Sequence, residues 1–277
     1  MSRLGATYNR PVNFSIRAIT LDLDDTLWPF APIGARIERV LDDWLRTHSP
    51  RTAERFPIPA MRDLRERIFI SRPDLAHDMS TLRRITLRSA FEESGEDAER
   101  TPALIEAAYI AFYAARNQVD CYPDAIEALG RLSARLPILA LSNGNADLAV
   151  IGLDHHFAFQ LSAQEHGAPK PEPSIFHAAC ARLGCAPHEV LHVGDHIEMD
   201  VVGAARAGLR TAWVHRDDLR ERHPQWPHAD IAPDLIVHDL TALADRIDMM
   251  FERAALDGAP FDDAHAPAAF DSTEFTP

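Results

Sequence analysis

Two aspartates separated by one residue, Asp22 and Asp24, could carry acid–base and nucleophilic chemistry. Asp22 ends the segment 16–22 (IRAITLD), and Asp24 lies in the turn after it. The β-branched and apolar residues of this segment predict a short buried strand. Two carboxylates this close resist joint ionisation unless a cation lies between them, so the pair suits a hard divalent metal. One could act as a nucleophile and the other as a proton donor and acceptor. Taken alone, the hexapeptide DLDDTL is explained equally well as an acidic helix cap.

Three later segments place further polar groups after predicted strands. Ser142 and Asn143 precede a predicted helix, where a hydroxyl and backbone N–H groups could bind an anion. Lys170, the single lysine beside 27 arginines, lies in the loop GAPKPEP and could hold a phosphoryl oxygen. Asp195 and Asp200 follow another strand and could complete a metal site. Each group taken singly has an ordinary explanation as a cap, a turn or a solvated charge.

The order of these segments makes them more specific together. In an open parallel sheet, sites form outside the carboxyl ends of the strands, so all four segments should meet at one edge. Four carboxylates would then converge with one ammonium and one hydroxyl. Because such a cluster is costly without a divalent cation, we expect Mg²⁺ as the cofactor.

Short strands alternate with helices through most of the chain. This alternation predicts an α/β fold with a doubly wound parallel sheet and helices on both faces. The predicted strands are 16–22, 137–141, 157–161 (the weakest), 190–193, 211–214 and 235–237. The predicted helices between them are 124–135, 145–152, 174–183 and 198–207.

The stretch from about residue 30 to 121 interrupts this alternation with helical patterns and no strand. Its helical candidates are 35–47, 59–70, 78–93 and 97–117, with prolines at their boundaries. The sequence therefore predicts a discontinuous α/β core (14–29 and 122–249), an inserted all-helical domain (30–121) and an acidic, poorly ordered tail (250–277).

The four segments resemble the motifs of the haloacid dehalogenase superfamily of phosphohydrolases. DLDDTL (22–27), LSNG (141–144), Lys170 in KPEP and GDHIEMD (194–200) occur in the order of that family, and the likeness spans roughly residues 16–245. The resemblance implies a Rossmann-like core, and the helical insert looks like the C1-type cap of subfamily I. Asp25 stands where many members have glycine, a variant that also occurs in the family.

The resemblance also implies a role for each motif residue. Asp22 would attack phosphorus and form an aspartyl phosphate, while Asp24 would protonate the leaving alcohol and then activate water. Mg²⁺ would be held by Asp22, the backbone carbonyl of Asp24 and Asp195. Ser142, Asn143 and Lys170 would bind the transferring phosphoryl group, and Asp200 would orient Lys170 or a metal-bound water.

Longer stretches around the motifs bear on the substrate, which we expect to be a small phosphorylated metabolite. LDLDDTLW, SNGNADL and LHVGDHIEMDVVGAARAG are similar to bacterial phosphatases that act on FMN and on the phosphoribitylamino-uracil intermediate of riboflavin synthesis. The insert is locally basic, and Arg83, Arg84 and Arg88 on one predicted helix are candidates for attracting this substrate. A solvated helix surface is the simpler interpretation of each arginine taken singly.

Composition excludes several other classes of function. The formal net charge of −14 disfavours a general nucleic-acid binder. No apolar run approaches the roughly 20 residues that span a bilayer. The first residues lack the apolar stretch of a signal peptide, and the three cysteines lack CxxC spacing. We therefore expect a cytoplasmic protein with reduced thiols and no membrane partner.

HEVLH at 188–192 matches the HExxH pattern of zinc proteases, which requires a helix. The neighbouring valines and glycine predict a strand instead. Residues four apart in a strand are about 13 Å distant, too far to share one zinc ion.

Three alternatives to a phosphatase stay open at this point. A 2-haloacid dehalogenase would use water on an alkyl ester of Asp22, without metal, and would not be expected to carry a carboxylate at Asp24. A receiver-like signalling domain also combines acidic residues, a hydroxyl and a lysine, but it lacks the helical insert and the GDxxxxD segment. A catalytically silent interaction protein would not need the complete motif set.

Overall fold

The core is a sheet of six parallel strands. The computed structural model describes residues 15–217 and 225–256. The strands are β1 (Ala18–Leu21), β2 (Ile138–Ser142), β3 (Phe159–Ser162), β4 (Val190–Gly194), β5 (Arg210–Val214) and β6 (Leu235–Val237). Their order is β3-β2-β1-β4-β5-β6, and all neighbouring pairs are parallel. The predicted doubly wound α/β sheet is confirmed, including its weakest strand.

The central strand β1 is buried on both faces because its side chains alternate between two apolar layers. Ile19 and Leu21 join one cluster, and Ala18 joins the other. In register, Ile19 lies between Ile138 of β2 and Leu191 of β4. The chain builds β2 and β3 on one side of β1 and then β4 to β6 on the other. This reversal opens a crevice at the carboxyl ends of β1 and β4.

Five helices, without a strand among them, form the insert between β1 and β2. They are α1 (Phe30–His48), α2 (Pro50–Arg55), α3 (Ile58–Ser71), α4 (Met79–Glu93) and α5 (Thr101–Arg116). Helix α1 begins five residues before its predicted start, since Pro32 lies in the first turn, where proline is tolerated. Its buried face packs on α5 and consists of Ile33, Ile37, Leu41 and Leu45. The short helix α2 has no counterpart in the sequence prediction.

The remaining helices flank the sheet. They are α6 (Ala125–Ser133), α7 (Leu148–Ile151), α8 (Ala163–His166), α9 (Pro173–Leu183), α10 (Gly203–Arg206) and α11 (Leu240–Leu256). Helices α6 and α11 cover the face that holds Ile19, and α9 and α10 cover the face that holds Ala18. Among the residues that the structure describes, no helix combines the length and apolar character needed to cross a bilayer.

Two predicted helices differ from the structure. The helix predicted at 145–152 is a single turn, α7, because Asp147 accepts two backbone N–H groups at its start and Gly152, with φ 87°, ends it. The helix predicted at 198–207 is divided into a π-helical turn (Ile197–Val202) and α10.

The acidic tail, predicted to begin at residue 250, overlaps the end of the last described helix. Helix α11 continues to Leu256, seven residues beyond the boundary at 249, because Met250 and Phe251 still pack against the core. The rest of the acidic tail, 257–277, lies outside the described residues.

Candidate active site

The carboxyl ends of β1 and β4 bring three carboxylates together. Asp22 follows β1, and its backbone N–H donates to Val193 of β4 at 2.9 Å. Asp195 follows β4, and Asp200 lies in the π-helical turn after it. Carboxylate oxygens of Asp22, Asp195 and Asp200 all lie within 4.8 Å of one another. The crevice predicted from the strand order therefore contains an acidic cluster.

Lys170 reaches the centre of this cluster. It is only 3% exposed, and its Nζ donates to Asp22 Oδ1 and to Asp200 Oδ1 at 2.6 Å each. Asn143 holds the lysine loop from the neighbouring strand end. Its Oδ1 accepts the N–H of Lys170 at 2.7 Å, and its Nδ2 donates to the Lys170 carbonyl at 2.9 Å. The side chain of Asn143, a predicted phosphate ligand, thus positions the lysine.

Burial and charge shift the pKa values of these groups in different directions. Burial raises the pKa of Asp22 to about 7, against the opposing effect of Lys170. Burial, with the charges of Asp200 and Asp22, also raises the pKa of Asp195 well above its usual range. Burial would do the same to Asp200, but Lys170 and His192 outweigh it and lower its pKa. Burial opposes the charged form of Lys170 too, yet the two carboxylates hold its pKa above the ordinary value.

The residues present fit a hard divalent cation. Asp22, Asp24, Asp195 and Asp200 supply four carboxylates, whereas Lys170 and Arg116 supply two cations, which leaves two negative charges among these six groups. Burial raises the pKa of Asp22 and Asp195, and the neighbouring carboxylates add to this effect, so a cation would stabilise their ionised forms. All candidate ligands are oxygens, the donors that Mg²⁺ prefers.

Asp24 is held on both of its oxygens. Oδ1 accepts from the indole Nε1 of the buried Trp28 at 2.8 Å, and Oδ2 accepts from Nη2 of Arg116 at 2.6 Å. Arg116 ends α5, the last helix of the insert, and its side chain is 3% exposed. Sequence reasoning missed both partners. The signal that could have indicated Arg116 is its place at the junction between insert and core, where any basic residue lies near the first motif.

Ser142 lies beside Asp24 because Gly144 permits a close approach. The hydroxyl of Ser142 accepts the N–H of Gly144 at 2.9 Å. A Cβ at Gly144 would lie 2.9 Å from Asp24 Oδ2 and 3.3 Å from Ser142 Oγ, so a larger residue would displace the carboxylate. The turn after β2 therefore brings the predicted phosphate ligand to the predicted proton donor.

A buried chain of hydrogen bonds joins Asp200 to His192 and Thr20. His192 on β4 has Nε2 3.1 Å from Asp200 Oδ1 and Nδ1 2.8 Å from Thr20 Oγ1 on β1. Burial lowers the pKa of His192 and so favours the neutral ring, which donates a hydrogen bond to Asp200 when Nε2 carries the proton. A Cβ at Gly194 would lie 2.4 Å from Asp200, so only glycine fits there. Because His192 lies in a strand, the zinc-protease alternative is excluded.

Asp25 occupies a left-handed backbone conformation with φ 60°. This conformation explains why glycine suits the position, and aspartate is one of the few other residues that tolerate it. Its Oδ1 accepts the N–H of Phe30 at 2.9 Å and so links the first motif to the start of α1.

The three insert arginines have separate environments. Arg84 lies over the ring of Tyr109 at 3.5 Å, pairs with Glu106 and faces a cleft between insert and core. Arg83 does not face this cleft: it stacks on Phe112 at 4.6 Å, lines a cavity within the insert, and has its pKa lowered to about 10 by burial. Arg88 is exposed. Adjacent residues on a helix point about 100° apart, which separates Arg83 from Arg84.

The cleft that Arg84 faces is polar and measures about 520 Å³. Asn145 connects it to Asp24, since Asn145 lines the cleft and its Oδ1 accepts from Nε of Arg116 at 3.3 Å. The other lining residues are Ser80, Tyr109, Tyr113, Ala146, Asp147, Gln160, Ser162, Gln164 and Glu165.

Comparisons with known proteins agree with this geometry. The family described as haloacid dehalogenase-like hydrolase matches residues 16–208. The 5-amino-6-(5-phospho-D-ribitylamino)uracil phosphatase YigB of Escherichia coli is 32% identical over 230 residues, 81% of this chain and 95% of its own. The phosphoserine phosphatase of Thermus thermophilus is 39% identical over 159 residues, 55% of this chain and 60% of its own.

A solved structure extends the likeness to the fold. The 2-haloacid dehalogenase from Pseudomonas syringae pv. Tomato DC3000 superposes with a TM-score of 0.77 at 33% identity, covering 85% of this chain and 99% of that one. The family match includes β1, the whole insert and the strands up to β4. The chain is therefore a hydrolase that belongs to the haloacid dehalogenase-like family.

Proposed function

We propose that the chain is a Mg²⁺-dependent phosphomonoesterase that acts on a small phosphorylated metabolite. One observation carries the proposal: Asp22 and Asp24 lie at the same crevice, the first against Lys170 and the second beside Ser142. This arrangement supports a site in which a nucleophile, a proton donor and two phosphoryl ligands act on a single phosphorus atom. Phosphoryl transfer depends mainly on such positioning and on cationic stabilisation.

The reaction proceeds in two displacements. A carboxylate oxygen of Asp22 attacks phosphorus, the ester P–O bond breaks, and the leaving alkoxide takes a proton from Asp24. Water then attacks the aspartyl phosphate, Asp24 takes a proton from that water, and Asp22 is regenerated with release of phosphate. Asp24 suits both proton transfers because Trp28 and Arg116 fix the orientation of its carboxylate.

The other residues stabilise the transferred group. Lys170 and the hydroxyl of Ser142 bind phosphoryl oxygens, while Asp200 holds Lys170 in place. Asp22, Asp195 and the backbone carbonyl of Asp24 would hold Mg²⁺, which supplies positive charge against the developing charge on phosphorus. Without that charge the acidic cluster would repel an anionic substrate.

The test compares p-nitrophenyl phosphate with 2-chloropropionate. We expect hydrolysis of the phosphate ester with Mg²⁺, and loss of activity on addition of EDTA or in Asp22→Asn. Asp25→Asn is the matched control, because asparagine tolerates the same backbone conformation while one neighbouring charge is removed. We expect this variant to remain active.

Dehalogenation is the second candidate, because the Pseudomonas syringae protein that this chain resembles is a 2-haloacid dehalogenase. That reaction needs no proton donor for an alcohol, whereas Asp24 is present and held by two donors. Metal-independent release of chloride from 2-chloropropionate, with no activity on phosphate esters, would replace the phosphatase assignment.

For the substrate, we infer a phosphorylated ribityl compound of the kind that the Escherichia coli relative acts on, or FMN. The cleft between insert and core, which Asn145 and Arg116 connect to Asp24, supports this class, since its amide and hydroxyl groups suit a leaving group rich in oxygen. A panel of phosphate esters tests the inference. If FMN and ribityl phosphates are turned over no better than simple sugar phosphates, the substrate class is wrong.

A further inference from the structure

The guanidinium of Arg116 has bonding capacity that the protein does not use. Its Nη2 donates to Asp24 Oδ2 at 2.6 Å, and its Nε donates to Asn145 Oδ1 at 3.3 Å. The third nitrogen, Nη1, is buried and has no hydrogen-bond partner among the described residues. A buried guanidinium N–H without a partner is costly, and an oxygen of a bound ligand would satisfy this nitrogen.

Arg116 is also next to the reacting groups. The point above Gly144 where a Cβ would stand lies 2.9 Å from Asp24 Oδ2, 3.1 Å from Nη2 of Arg116 and 3.3 Å from Ser142 Oγ. The proposed proton donor, the guanidinium and a proposed phosphoryl ligand therefore surround one point of the turn after β2. A phosphate ester whose leaving oxygen faces Asp24 brings its leaving group against Arg116.

From these contacts, and resting on the proposed phosphatase activity, we propose that Arg116 is a catalytic residue that determines specificity. Nη2 orients Asp24, and Nη1 donates a hydrogen bond to an oxygen of the leaving group, on a carbon close to the ester carbon. One planar group thus sets the position of both the proton donor and the alcohol.

The chemistry of the bound oxygen follows from charge. Arg116 pairs with Asp24 in the free enzyme, and the acidic cluster of Asp22, Asp195 and Asp200 lies in the same crevice, so a neutral hydroxyl or carbonyl oxygen suits Nη1 better than a second anion. Asn145 gives the direction of the leaving group. Besides accepting from Arg116, it donates to Ser80 Oγ at 3.2 Å and lines the polar cleft between insert and core. The substrate class is a phosphate ester with a polyol or similar oxygen-bearing leaving group.

The experiment uses two substrates that differ in the feature at issue. Glycerol 3-phosphate carries a hydroxyl on each of the two carbons beyond the ester carbon, and n-propyl phosphate has the same chain without either hydroxyl. We expect the wild-type protein with Mg²⁺ to prefer glycerol 3-phosphate in kcat/KM by roughly 10- to 150-fold, the range for a hydrogen bond from a charged donor.

Two variants separate the two functions of Arg116. Arg116→Met should lower kcat on both esters, because Asp24 loses its partner, and should also abolish the preference between them. Arg116→Lys keeps one donor for Asp24, so it should recover most of the activity on n-propyl phosphate without recovering the preference. Arg100→Met, at the exposed start of the same helix, is the control and should match wild type. Thermal unfolding of each variant establishes that it is folded.

The outcomes discriminate between this proposal and the one on which it rests. If the wild-type protein hydrolyses both esters without preference, or if both variants retain the preference, Arg116 does not contact the leaving group. If the wild-type protein hydrolyses neither these nor other phosphate esters, the proposed function fails and the present assignment fails with it. Should Arg116→Met not fold, the preference measured in Arg116→Lys decides.

Discussion

Replacing Lys170 by arginine tests the centre of the proposed site while keeping its charge. Nζ of Lys170 contacts Asp22 and Asp200 from one nitrogen, at 2.6 Å to each, in a site that is 3% exposed. A guanidinium is planar and larger than an ammonium, and it distributes its donors over three nitrogens. It cannot place a single nitrogen between the two carboxylates without displacing one of them.

The magnitude follows from these contacts. A hydrogen bond between charged groups contributes roughly 1.5–3 kcal/mol, and losing one of the two costs about 10- to 150-fold in rate at about 1.4 kcal/mol per factor of ten. The extra volume should also lower the free energy of unfolding by about 1–3 kcal/mol. We therefore expect Lys170→Arg to lower kcat/KM by about 100-fold while the protein remains folded.

The assay is steady-state hydrolysis of p-nitrophenyl phosphate with Mg²⁺, together with urea unfolding. Arg135→Lys is the control with the same type of exchange away from the site: the ion pair of Arg135 with Asp248 lies at the surface, so activity should be unchanged and stability altered by at most about 0.5 kcal/mol. Lys170→Met adds a second comparison, since it leaves two buried carboxylates unpaired and should cost about 3–5 kcal/mol of stability. Normal turnover by Lys170→Arg would refute the reasoning.

Two further predictions concern the cation and pH. Mg²⁺ should raise the unfolding temperature, by an amount equivalent to about 2.7 kcal/mol at a concentration of 100 times its Kd. Asp195→Asn should reduce this shift. An equal shift in the variant would exclude Asp195 as a ligand. Tyr113→Phe removes the hydrogen bond to Asp147 that lowers the pKa of this carboxyl below 3.8. The bond stabilises the fold above pH 3.8 and is lost as the pH falls through the lowered value, so urea unfolding should show a penalty of about 1 kcal/mol at pH 7 that disappears in acid.

The sequence predicts the acidic part of the site well because it depends on local patterns. An apolar strand followed by a polar turn can be identified within one segment. Because sites in an open parallel sheet form outside the carboxyl ends of the strands, these segments are then expected to meet at one edge. Asp22, Asp195 and Lys170 meet at one crevice for this reason. The strands are predicted equally well, since each is a short buried run with a boundary on either side.

The contacts that hold the site are harder to predict because they join distant segments. Arg116 lies 92 residues from Asp24 in the chain, and no spacing within its helix distinguishes it from the other arginines of the insert. In the sequence, His192 looks like any other residue of a strand. It contacts Thr20 because the register of β4 beside β1 pairs the two residues. Such pairs are fixed by tertiary packing, which periodicity does not encode.

The two buried cations of the site differ in shape, and one of them is the single lysine that accompanies 27 arginines in the chain. Codon usage can account for the arginines but not for the position of the exception. At Lys170 two carboxylates converge on one nitrogen, which a compact ammonium satisfies. At Arg116 the partners are spread over Asp24, Asn145 and the proposed leaving group, which a planar fork spans. Each cation therefore has the shape that its partners require. Exchanging lysine for arginine, or arginine for lysine, at these two positions should lower the catalytic rate while the protein remains folded.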